Sequence, residues 1–154
     1  MILSIIDKYV DLCVNRLKLE DILRKASERN DTVLVNEIND ELYRLNQSIN
    51  FIHECIIKRL STSSSSSLND LNKCLERKSA QIRKSISITN ATIKMMKENA
   101  KIAISNSDRT AAKRYKELIE ESDAKKREQL EELNCYDCVA SICSKVQYLS
   151  LKTK

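Results

Sequence analysis

The chain has 154 residues and a formal net charge of +5, a one-domain length that allows a real core. It contains no glycine and no proline. Hairpin turns, Gly-rich phosphate loops and dinucleotide fingerprints all need glycine where the backbone turns or a phosphate approaches, which argues against nucleotide-binding and most β architectures.

Four periodic segments follow in chain order, and a charged fraction of 32% with only 4% aromatics suits long helices with narrow apolar seams. In the first, Ile5, Tyr9, Leu12, Arg16, Leu19, Leu23 and Ala26 recur at spacings of four and three, widened by Ile2, Ile6, Cys13 and Leu17. The second runs Val35, Ile38, Leu42, Leu45, Ile49, Ile52, Ile56, an unbroken heptad pattern. The third runs Leu68, Leu71, Leu75, Ser79, Ile82, Ile86, Thr89, Ile93, Met96, Ala100, Ala103. The fourth begins with Ala112, Tyr115 and Ile119, turns polar through EESDAKKREQ, and recovers with Leu130, Leu133, Val139, Ile142, Val146 and Leu149.

The breaks use Asn, Asp and Ser where glycine is customary. In ERNDTV, Asn30 suits a left-handed C-cap and Asp31 or Thr32 an N-cap; SNSDRT offers the same through Asn106 and Ser107 or Asp108. Ser67 with Asp70 resembles a capping box. These signals predict helices over 2–29, 33–60, 68–104 and 108–150. The fold class is therefore all-α, an elongated antiparallel four-helix bundle made of two helical hairpins with coiled-coil-like seams. It forms a single helical domain over 1–154, with a hairpin over 2–60, a Ser-rich loop over 61–67 and a hairpin over 68–150.

The longer second hairpin should overhang the first by roughly 14 Å. Its tip near the 105–108 turn is apolar and small-residued: Met95, Met96, Ala100, Ile102, Ala103, Ile104, Ala111, Ala112 and Tyr115. Such a surface accepts another helix. The leading function is thus a non-catalytic structural or adaptor protein that assembles with partner helices, or with itself, through its heptad seams and this tip. Arg16 and Ser79 in seam positions would select register.

Residues 68–104 hold 8 Lys/Arg against 3 Asp/Glu. The face made by Lys73, Arg77, Lys84, Lys94, Lys97 and Lys101 gives the alternative, a module for anionic membrane or nucleic acid. No aromatic interleaves these cations, which disfavours base stacking. The segment MMKENAKIAISNSDRTAAKRYKELIEES resembles the first helical hairpin of ESCRT-III membrane-remodelling subunits, over roughly residues 68–122. There a basic helix turns at a short polar loop and returns through an Ala- and Lys-rich helix. This chain differs in its glycine-free turn, its lack of a long acidic C-terminal region and its additional preceding hairpin. The resemblance implies membrane assembly as a variant of the alternative.

Six cysteines without a secretory signal read as free thiols in a reducing compartment. CYDCVASIC brings three together, so Cys135, Cys138 and Cys143 with His53 form a weak zinc set, against the simpler reading of small apolar fillers. No cofactor is expected. One histidine and no nucleophile elbow leave no catalytic constellation, so no enzyme and no small-molecule substrate are expected. No apolar run reaches a membrane-span length of roughly 18 residues, and MILSII lacks a basic n-region. The expected location is intracellular, cytoplasmic or nuclear.

Overall fold

The computed structural model describes residues 2–152. The chain is an all-α helical bundle with four helices: α1 (Ile2–Glu28), α2 (Thr32–Ser61), α3 (Ser65–Ser105) and α4 (Arg109–Lys152). No strand occurs among the described residues.

Two of the three turns are one motif. Asn30 and Ser107 adopt positive φ, 56° and 55°. In the first turn, the Asn30 and Asp31 N–H groups donate to the carbonyls of Ser27 (3.1 Å) and Ala26 (3.0 Å). In the second, Ser107 and Asp108 donate to Ile104 (3.0 Å) and Ala103 (2.9 Å). This pair of bonds is a Schellman closure. The aspartate that ends one helix also starts the next. Asp31 accepts from the Leu34 N–H at 3.2 Å, and Asp108 from the Ala111 N–H at 3.1 Å, which supplies the N-cap. The left-handed position expected at Asn106 falls on Ser107, because helix α3 continues one residue further than the composition suggests.

The Ser-rich loop expected over 61–67 shrinks to residues 62–64. Its hydroxyls divide the work of ending one helix and starting another. Ser61, Thr62 and Ser63 donate to the carbonyls of Ile57 (2.9 Å), Lys58 (3.2 Å) and Arg59 (2.6 Å), satisfying acceptors a helix end leaves orphaned. Ser64 then accepts from the Ser67 N–H at 3.2 Å and caps α3. The capping box expected at Ser67 and Asp70 is displaced by this earlier cap. Helix α3 accordingly starts at Ser65, not at Leu68.

The chain divides into two compact units: Met1–Ser79 with Glu131–Lys154, and Ala80–Leu130. The first unit buries residues from all four helices: Ile6, Val10 and Cys13 of α1; Ile49, Ile56 and Leu60 of α2; Leu68, Leu71 and Leu75 of α3; and Cys135, Tyr136, Val139 and Cys143 of α4. On α1 the buried line runs through Ile6, Val10 and Cys13, whereas Ile5, Tyr9 and Leu12 are half-buried. On α4 the expected seam residues Leu130 and Leu149 are exposed, and Cys135, Tyr136 and Cys143 fill the interior instead. Thiols pack as small apolar groups, so a seam traced through aliphatic residues alone missed them.

Polar bonds tie the helices of this unit. The Asp7 carboxylate accepts from the Tyr136 hydroxyl (2.6 Å) and the Lys78 ammonium (2.9 Å). The same ammonium lies 5.3 Å from the Tyr136 ring centroid. Ser79, buried, donates to Asp137 at 2.8 Å, and Arg16 donates to Asn46 at 3.0 Å. In the second unit α3 and α4 bury Thr89, Ile93, Met96 and Ala103, and Thr89 donates to Gln129 at 3.0 Å.

Candidate functional site

The second unit is a two-helix hairpin, and two helices leave much of each surface wet. The interior of α3 here follows Thr89, Ile93, Met96 and Ala103. One residue before three of these positions stand Ile88, Met95 and Ile102, exposed by 61%, 57% and 58%. They recur at intervals of seven, so they form a second apolar line on α3 beside the interior one. Met95 and Ile102 belong to the expected tip, and Ile88 lies outside it. Its signal was the seven-residue interval itself, hidden because the stronger pattern lies one residue away.

The expected tip residues therefore separate. Met95, Ile102 and Ile104 are exposed, Met96 and Ala103 are buried, and Ala100, Ala111, Ala112 and Tyr115 are half-buried. Glutamate at Ala103 would disrupt the hairpin itself, whereas Met95 is open to substitution.

The charge is as unevenly distributed as the apolar surface. Residues 80–130 carry 12 Lys/Arg against 7 Asp/Glu, and the remaining residues 15 against 15, so the whole surplus of five lies in the second unit. Of the expected basic face, Lys84, Lys94, Lys97 and Lys101 belong to the second unit and Lys73 and Arg77 to the first; all six are exposed. Lys94, Lys97 and Lys101 line a shallow groove of about 430 Å³ together with Lys126 of α4, tempered by Glu98 and Asp123.

All six cysteines and His53 fall in the first unit. The four residues of the sequence-derived zinc set differ in setting. The His53 ring lies 5.7 Å from that of Tyr9, Cys138 is exposed, and buried Cys143 donates to the Leu68 carbonyl at 3.6 Å. Cys135 keeps different company. Its sulfur, that of Cys13 and a carboxylate oxygen of Glu131 lie within 4.8 Å of one another. This is the one such group of three or more His, Cys or acidic side chains among the described residues.

Two helices build the cluster. Glu131 and Cys135 stand one turn apart on α4, where i and i+4 share a face, and Cys135 donates to Glu131 at 3.7 Å. Cys13 comes from the buried line of α1. The Cys13 thiol is lowered to about 7, first by its hydrogen bond with Cys135 and then by the Arg16 charge, against the cost of burial. Cys135 is pushed up by the same hydrogen bond, by burial and by the Glu131 carboxylate. Burial, with the Cys13 thiol beside it, also raises the Tyr9 phenol. Sequence reading missed Cys13 and Glu131 as companions of Cys135, since nothing in the order of residues says which face of α1 meets α4.

Comparison with protein-family models, with curated proteins and with solved structures returns no match. No helix among the described residues is long and apolar enough to cross a membrane.

Proposed function

We propose that this chain is a non-catalytic helical assembly protein, an antiparallel four-helix bundle of two hairpins whose 80–130 portion pairs with a second copy of itself. The observation that carries this reading is the exposed line Ile88, Met95, Ile102. It is symmetric about Met95. A two-fold axis through Met95 sets Ile88 of one copy beside Ile102 of the other, the self-complementary contact that a closed dimer requires. From Ile88 to Ile102 the line rises about 21 Å along the helix, and its seven-residue interval is that of a helix pair.

The decisive experiment is absolute mass by light scattering across a concentration series. The expected result is a shift towards twice the 17.7 kDa chain mass, reversed by Met95→Glu. A chain that stays monomeric at every concentration sinks the proposal. Because both copies bring a basic hairpin, salt should strengthen the dimer by screening their repulsion.

The lysine groove supports a second reading, an anionic surface bound through Lys94, Lys97, Lys101 and Lys126. Here salt acts in the opposite sense, since neutralised phosphates recover their counterions. Sedimentation with anionic vesicles that weakens with salt, is lost on Lys94→Glu with Lys97→Glu, and is untouched by Met95→Glu would favour this reading over self-pairing.

A further inference from the structure

The geometry points to a site for a thiophilic divalent cation, zinc as its natural occupant, held by Cys13, Glu131 and Cys135. A tetrahedral zinc with sulfur at about 2.3 Å and carboxylate oxygen at about 2.0 Å has S···O edges of about 3.5 Å and S···S edges of about 3.8 Å. The Cys135 sulfur and the Glu131 oxygen already stand 3.7 Å apart, and all three donor atoms lie within 4.8 Å of one another. The three groups approach one face of a tetrahedron before any metal arrives.

The supporting elements are stiff. All three donors project from helix interiors, and Glu131 and Cys135 are fixed one turn apart on the same helix. Donors on packed helices need little rearrangement to close on an ion. Cys13 and Cys135 are 1% and 6% exposed, which keeps water from the sulfur side. Glu131 is half-buried, so the cluster is not sealed on every side.

The donor set also selects the class of ion. Two thiolates disfavour magnesium and calcium, which demand oxygen, and suit zinc. Two thiolates and one carboxylate would bring three negative charges to a divalent ion. The binding step is a displacement: each S–H bond breaks and its proton passes to solvent, metal–water bonds of the hydrated ion break and release water, two sulfur–metal bonds and one oxygen–metal bond form, and no electron is transferred.

The test begins with metal-free protein, reduced by a phosphine and titrated with zinc alone, then with cobalt(II) as a spectroscopic probe. One equivalent of zinc should bind with sub-micromolar affinity and raise the thermal midpoint. Cobalt should give the intense near-ultraviolet charge-transfer absorption of thiolate ligation. Cys135→Ser and Cys13→Ser should abolish both signals, Glu131→Gln should weaken zinc by tenfold or more, and Cys138→Ser should leave binding unchanged. Should the buried cysteine variants fail to fold, the wild-type cobalt spectrum and the Glu131→Gln variant still decide the matter. Absence of stoichiometric zinc uptake, a cobalt complex without thiolate absorption, or an equal loss in Cys138→Ser would each overturn the assignment.

Discussion

Ser107 holds φ at 55° with a side chain in place, where glycine would sit without strain. An L-residue in this region costs roughly 1 kcal/mol or more, and glycine is the usual occupant of the position just past a helix. Ser107→Gly should therefore raise stability by about 0.5–1 kcal/mol, net of the extra freedom glycine gives the unfolded chain, and a urea midpoint would register it. A second single-residue effect concerns alkali. Burial and the Asp7 hydrogen bond raise the Tyr136 phenol above its ordinary 10. A raised phenol stabilises the fold below its unfolded value, and that stability is lost as pH climbs past it. Tyr9 and the Cys135 and Cys143 thiols are raised too, so stability should fall in the alkaline range. Tyr136→Phe should lose about 1.5 kcal/mol at neutral pH, the low end for a bond to a charged acceptor, because Asp7 is partly exposed. Its alkaline decline should also be shallower than that of the parent, a comparison that urea midpoints on either side of pH 10 would make.

At the scale of the helix, the Ser run shows how a stretch without glycine or proline can still stop and restart a helix. Its identical residues play different parts: Ser61 and Ser63 satisfy carbonyls behind them, and Ser64 caps the helix ahead. Ser64→Ala should cost about 1 kcal/mol, in line with lost N-caps, while Ser66→Ala, inside the first turn, should cost little. Thermal midpoints of the two variants would separate the cap from mere hydroxyl content. This element marks the limit of what order alone discloses. The spacing Ile38, Ile49, Ile56 and the run Leu68, Leu71, Leu75 announce their burial directly, because 3.6 residues per turn permits no other single face. Where five serines stand together, every one is an acceptable cap, and only the hydrogen bonds choose. The same ambiguity explains α1. Two overlapping apolar lines, through Ile5 and through Ile6, read equally well, and contact with other helices selected the second. Cys13 lies on that second line, which is why its meeting with Glu131 and Cys135 was hidden while the pairing of thiols within α4 was plain.

For the molecule as a whole, polarity is partitioned by unit. The first unit is charge-balanced and holds every cysteine, and the second is basic with the exposed Ile88, Met95, Ile102 line. Two tests address these units separately: zinc titration reads the first, and mass against concentration and salt reads the second. Met95→Glu should leave zinc uptake intact, just as Cys138→Ser should leave the mass unchanged. The turns carry one further consequence. Each closes with three residues of non-helical chain and a hydroxyl or aspartate cap, and no peptide bond in the sequence precedes proline. Prolyl isomerisation, which delays many chains by tens of seconds, has no bond on which to act. After dilution from denaturant, helical signal should return without a phase of tens of seconds that a prolyl isomerase accelerates, and a slow phase that shortens with protein concentration would report association between chains.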